Sequence, residues 1–151
     1  MLALIFFSLA GLLIPPQQPN QSSGQGTLVI EERSTDIAVR TPDPQVRYRL
    51  INGGFISRTT DGGATWNGQL VSPNSALAAG SAPSPNVCWV VGSKGVIYRT
   101  TDGVTWKKIH SPAQTDFTAV SAKDASSVTL TSAAGKKFST SNSGKSWQSA
   151  Q

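Results

Sequence analysis

Thr59, Asp61, Gly63 and Thr65 place a carboxylate, two hydroxyls and a glycine in one short stretch that ends on Trp66. Those residue types together have the composition of an active-site loop, in which a positioned carboxylate moves a proton. The set returns as Thr100, Asp102, Gly103, Thr105 and Trp106, and again as Thr140, Asn142, Gly144, Ser146 and Trp147. The tryptophans stand 40 and 41 residues apart. A catalytic site is needed once. A group that recurs at a fixed period, and outlives the exchange of its carboxylate for the Asn142 amide, is built for the fold.

Each residue type has a turn-level task. The aspartate accepts hydrogen bonds from N–H groups a few residues on, closing an Asx-type turn. Glycine takes a backbone conformation that others avoid, the hydroxyls bond across the turn, and the tryptophan buries a large ring where two strands meet. Between Asp102 and Trp106 the second copy is one residue shorter than the first, so its turn is expected to be tighter.

Other reactive residues fare no better. Ser143-Gly144-Lys145-Ser146 ends like a phosphate-binding loop, but the glycine required five positions earlier is Ser139. Cys88, the single cysteine, lies in the apolar run Val87–Val91 and reads as a small buried hydrophobe. The single histidine, His110, precedes a Ser-Pro turn with nothing to orient it as a base. No cofactor, metal site or catalytic residue is expected.

The elements that carry these residues repeat with them. Short apolar strands begin at Ile37, Leu77 and Phe117. Turn-rich spacers follow, two of them bearing prolines that no strand or helix continues through. Second strands are Val46–Leu50, Val87–Val91 and Val128–Thr131. The first and third alternate apolar with polar residues and the middle one is apolar throughout, which predicts that the middle unit has neighbours on both faces. Glycine-bearing hairpins lead to third strands at Phe55–Arg58, Val96–Arg99 and Lys137–Ser139, and fourth strands start at the recurring tryptophans. With 38% apolar and 14% charged residues, such a chain suits many short strands joined by turns. Four strands in about 40 residues, repeated, make a β-propeller blade. The expected fold is an all-β partial propeller with three blades, at about 35–72, 73–112 and 113–150.

Leu2–Ile14 is a thirteen-residue apolar stretch, spanning about 20 Å as a helix against a hydrocarbon core of about 30 Å. Residues 1–14 are expected to be a signal peptide or a truncated membrane helix, and residues 15–34, rich in Pro, Gln, Ser and Gly, a flexible linker. Both readings place the folded part outside the cytoplasm, at the periplasmic or cell-surface side, membrane-anchored or secreted. The net charge of +5 is spread along the chain and reads as a solvated surface, with no nucleic acid expected.

The recurring motif resembles the Asp-box, or BNR repeat, Ser/Thr-x-Asp-x-Gly-x-x-Trp. The longer phrase from Asn86 to Gly103, with Val87–Val91, Gly92, Gly95, Val96–Arg99 and Thr100-Thr101-Asp102-Gly103, is similar to the photosystem II stability/assembly factor family of propellers. That resemblance covers about residues 35–150 and implies a propeller in which the box staples the last hairpin of each blade at the outer rim. Full-length relatives have about seven blades, against the three read here. The resemblance implies a non-catalytic protein-interaction or assembly module, and a family surface rich in arginine raises Arg47, Arg49, Arg58 and Arg99 as candidate partner-binding residues. Three blades leave two faces without a neighbour, so a protein partner or self-association is expected to cover them. The alternative is a glycan-related Asp-box protein: a degenerate sialidase relative, or a carbohydrate binder using an exposed Trp89 or Trp106. Sialidase chemistry is disfavoured, because the two tyrosines, Tyr48 and Tyr98, sit on repeat-related strands and Glu31 and Glu32 precede the first blade.

Overall fold

A computed structural model describes residues 36–150. The expected signal or membrane segment and the whole of the expected linker lie outside the described residues.

Twelve strands form three separate four-stranded antiparallel meanders. The first holds β1 (Ile37–Arg40), β2 (Arg47–Ile51), β3 (Phe55–Thr59) and β4 (Asn67–Leu70). The second holds β5 (Leu77–Ser81), β6 (Cys88–Gly92), β7 (Ile97–Thr100) and β8 (Trp106–Lys108). The third holds β9 (Phe117–Ala122), β10 (Val128–Ser132), β11 (Lys137–Thr140) and β12 (Gln148–Ala150). Hairpins need only tight turns, and left-handed glycines supply them, as Gly53 and Gly54 do between β2 and β3. The all-β, partial-propeller architecture expected from the repeat is the one observed.

Packing follows strand alternation. Tyr48 and Leu50 of β2 share a face with Arg58 and Ile56 of β3. This face meets Cys88 and Val90 of β6 in one core, with Val39, Val46 and Ala82. The opposite face of β6, Trp89 and Val91, joins Ile97 and meets Phe117, Val128, Leu130 and Phe138 of the third blade in a second core. Strand β6 is therefore buried along its whole length, the central position that its unbroken apolar run predicts. The innermost strands approach closely: a Cβ on Gly80 of β5 would lie 2.5 Å from Val39 Cγ2 of β1.

The outer faces of the terminal blades differ from those of the middle blade. At repeat-equivalent positions, Cys88, Val90 and Tyr98 in the middle blade become Arg47, Arg49 and Ser57 on the free face of the first. Trp89, Val91, Ile97 and Arg99 become Thr129, Thr131, Lys137 and Ser139 on the free face of the third. The strand centres of both terminal blades thus present polar side chains outward, as capping repeats do. Phe55, 43% exposed, and Leu70, 51% exposed, form a small apolar pair at the hairpin end of the first blade.

Candidate functional site

The three boxes are built from the same bonds, with instructive differences. In the first, Thr59 Oγ1 donates to Asp61 Oδ1 (2.7 Å) and accepts from Gly63 N–H (2.9 Å). Asp61 then accepts Thr65 N–H at 2.9 Å and Thr65 Oγ1–H at 2.5 Å. In the second, Thr100 Oγ1 caps Gly103 N–H, three residues on instead of four, and Asp102 Oδ1 accepts from Val104 and Thr105 N–H. The missing residue has tightened the turn. In the third, Asn142 Oδ1 accepts Ser146 N–H at 2.9 Å while its Nδ2 donates to Ser146 Oγ at 2.7 Å. The amide reverses the hydroxyl bond and keeps the turn closed.

These bonds define what the carboxylates can do. The Thr65 hydroxyl and N–H hold Asp61 well below the usual carboxylate range. The Thr105 and Val104 N–H groups do the same to Asp102. The Ser126 hydroxyl and N–H likewise lower Asp124. A carboxyl so stabilised as the anion is a poor proton shuttle at neutral pH.

The tryptophans are less buried than expected. Trp66, Trp106 and Trp147 are half-buried. Trp66 Nε1–H returns to Gly63 O within its own turn. Trp106 meets Tyr48 of the preceding blade edge to face, at 6.1 Å. Trp147 donates to His110 O of the preceding blade at 2.8 Å. Trp89 is wholly buried, which removes it as an exposed sugar-stacking platform. Its inaccessibility follows from the middle blade having a neighbour on each side.

The candidate arginines divide into two pairs. Arg58 and Arg99 join blades. Arg58 Nη2 donates to Asn86 Oδ1 (2.9 Å) and Pro85 O (3.2 Å) of the second blade, and its guanidinium lies against Gly103. Tyr48 OH donates to the same Pro85 O at 2.7 Å. One repeat on, Arg99 Nη1 donates to Ala125 O (2.7 Å) and Trp89 Nε1–H to Asp124 O (3.1 Å) of the third blade. In each joint an aromatic and an arginine paired across two strands reach the next blade's spacer. Burial pushes the Tyr48 hydroxyl up to about 12, so it stays a donor and not a phenolate nucleophile. Arg58 and Arg99, raised as candidate partner-binding residues, are thus engaged in inter-blade contacts.

Arg47 and Arg49 point the other way, onto the outward face of the first blade. Arg47 is half-buried and bonds to Gly62 O, and the exposed Arg49 lies over the Trp66 ring at 3.8 Å. Beside them stands Arg40, cross-strand partner of Arg47, which the repeat alignment passed over. Alternation in β1, with Val39 inward, was the signal that could have found it. A surface cavity of about 350 Å³ opens among Arg40, Thr41, Pro42, Pro44 and Arg47. The outward strand positions here are Ala38, Arg40, Arg47, Arg49, Ile51, Phe55, Ser57, Thr59, Gly68 and Leu70, with no carboxylate. What remains is a cationic face with an apolar end.

Comparison with known proteins agrees with the fold. The family described as photosynthesis system II assembly factor YCF48 matches residues 18–151. A solved structure described as YCF48 bound to D1 peptide superposes with a TM-score of 0.68 at 23% identity, covering 77% of this chain and 39% of that one. YCF48 from Cyanidioschyzon merolae gives a TM-score of 0.68 at 24% identity, with the same 77% and 39% coverage. The chain thus spans about two-fifths of the length of either structure. No curated protein matches it.

Proposed function

Because the chain belongs to the photosynthesis system II assembly factor YCF48 family, we propose that it is a non-catalytic module that binds a protein segment outside the cytoplasm. The observation that carries this reading is the outward face of the first blade, where Arg40, Arg47 and Arg49 stand together on strand positions without a carboxylate. Arginine suits such a face: its planar fork pairs with carboxylates in two-point geometry and its stem covers apolar surface. The partner that fits is an acidic peptide with an apolar residue to lie against Phe55 and Leu70. The solved relative described with a D1 peptide supports peptide binding as the mode. Support for the non-catalytic role comes from the box carboxylates, whose bonds are used in closing turns. The location rests on the apolar Leu2–Ile14 and the Pro- and Gln-rich segment after it, which would anchor or export the chain and hold the blades away from a membrane.

The test is titration of the full chain with an acidic peptide and with its Asn/Gln counterpart. Wild type should prefer the acidic form, with affinity falling as salt rises. Arg40→Glu with Arg49→Glu should cost at least about tenfold, as expected for charge-assisted hydrogen bonds. Equal binding by wild type and variant would refute the surface. Fusion to a reporter active only outside the cytoplasm tests the location independently, and an inactive fusion would refute it.

A further inference from the structure

Comparing the three blades with each other separates residues the repeat requires from residues it does not. A groove of about 410 Å³ is lined by Lys94, Lys108, His110, Ser111 and Gln114 with Gly95, Val96 and Ile109. Neither of its lysines recurs. Lys94 stands where the first blade has Gly53 and the third Ala134, and Lys108 where they have Gly68 and Ser149.

Lys94 is the odd one. It sits at φ 55°, ψ 34°, in the left-handed region that Gly53 occupies at φ 83°. A non-glycine there is strained, and strain maintained at one copy of a repeat points to use of the side chain. The turn is held in place: Asp116 Oδ1 accepts Lys94 N–H at 2.8 Å, and Thr115 O accepts Gly95 N–H at 2.7 Å. The facing wall is fixed as well, because Trp147 Nε1–H is bonded to His110 O. Both walls of the groove are therefore set before anything binds, which lowers the ordering cost of binding.

We propose that this groove on the middle blade binds the phosphate group of a small phosphomonoester or of a lipid headgroup. Two ammonium groups match the charge of a phosphate, and lysine acts on phosphate as a point charge. No arginine lines the groove to offer the planar fork that selects carboxylates. The Gln114 amide and the His110 ring add further hydrogen-bond partners. The volume exceeds that of a bare oxyanion and falls in the range of small-ligand sites, which leaves room for the ester substituent. The site is separate from the arginine face of the first blade, so neither assignment depends on the other.

The experiment titrates the full chain with glycerol 3-phosphate at constant ionic strength. In parallel, sedimentation tests binding to phosphatidylglycerol and phosphatidylcholine vesicles. Saturation by glycerol 3-phosphate at one per chain supports a soluble ligand, and binding to phosphatidylglycerol vesicles alone supports the lipid source. In either case Lys94→Gln with Lys108→Gln should weaken binding by about tenfold or more. Lys136→Gln with Lys137→Gln, outside the groove, should not. Lys94→Gly should lose binding while its thermal midpoint holds or rises, since glycine relieves the backbone. Absence of binding in both arms, equal loss in the Lys136/Lys137 control, or a fallen midpoint in Lys94→Gly would each overturn the proposal.

Discussion

The joint between the first two blades makes a prediction that its successor does not share. Tyr48 OH and Arg58 Nη2 donate to one oxygen, the carbonyl of Pro85. Tyr48→Phe removes a hydroxyl and keeps the ring, and should cost about 1 kcal/mol, a typical net hydrogen bond. Arg58→Met keeps an apolar stem and gives up two bonds, the guanidinium beside Gly103 and the contact with the Tyr48 ring, for about 2 kcal/mol. In either single variant Pro85 O retains one donor. In the double variant it loses both, and the half-buried acceptor adds about 1 kcal/mol of its own. The double should therefore cost more than the sum, by about that amount. In the second joint Trp89 and Arg99 reach different acceptors, Asp124 O and Ala125 O. Trp89→Phe with Arg99→Met should be additive to within about 0.5 kcal/mol. Urea unfolding with matched m-values measures both cycles. Equal coupling in the two joints, or additivity in the first, would refute the shared-acceptor account.

Further outcomes follow from the same geometry. Asp61→Ala should lower Tm, whereas Asp61→Asn should nearly preserve it, because Asn142 already closes the third box; equal losses would refute the acceptor role. Asp61 and Asp102 titrate below their unfolded values, so their stabilisation is full above the ordinary carboxylate range and is lost as pH falls through it and beyond. Acid unfolding of Asp61→Asn should accordingly be less steep. The Tyr48 hydroxyl is raised to about 12. Its stabilisation is complete below the unfolded value of about 10 and is lost as pH climbs through the folded one. Alkaline absorbance titration should show one late tyrosine, missing in Tyr48→Phe. Gly54→Ala and Gly135→Ala both put a Cβ at positive φ, but only the former drives it to 1.8 Å from Ser72 O. Gly135→Ala should cost about 1–2 kcal/mol and Gly54→Ala distinctly more, by thermal unfolding.

How much of this was legible depended on whether a residue's role recurs. The boxes were readable because Thr59, Thr100 and Thr140 do the same work at one period, and a single sequence then acts as its own alignment. The burial of β6 was readable from the unbroken apolar run Val87–Val91, where its two counterparts alternate. The joints were not. Arg58 and Arg99 recur, but a strand pattern does not say which carbonyl of a later spacer an arginine will meet. The half-burial of Trp66, Trp106 and Trp147 was hidden, since large rings suggest burial and a strand pattern does not show how much of each ring the packing covers. Arg40 was missed because its partner across the sheet, Arg47, is set by hairpin register.

The terminal faces show why the repeat alone could not give the function. One position carries Tyr48, Trp89 and Thr129 through the three blades, and another Arg49, Val90 and Leu130. Where a blade has a neighbour, the position is apolar or stapling; where it has none, the position turns polar. That substitution pattern is what solubility demands of a capped stack, and it accounts for Thr129 and Ser139 with nothing left over. On the first blade it does not account for the choice made. Capping needs polarity only, and serine or threonine would serve, as they do on the third. Three arginines on one face, two of them directly opposed across a strand pair, add mutual repulsion that capping does not require. An anionic partner would relieve that repulsion on binding, and this excess over the demands of the fold is what directs the functional reading to the first blade.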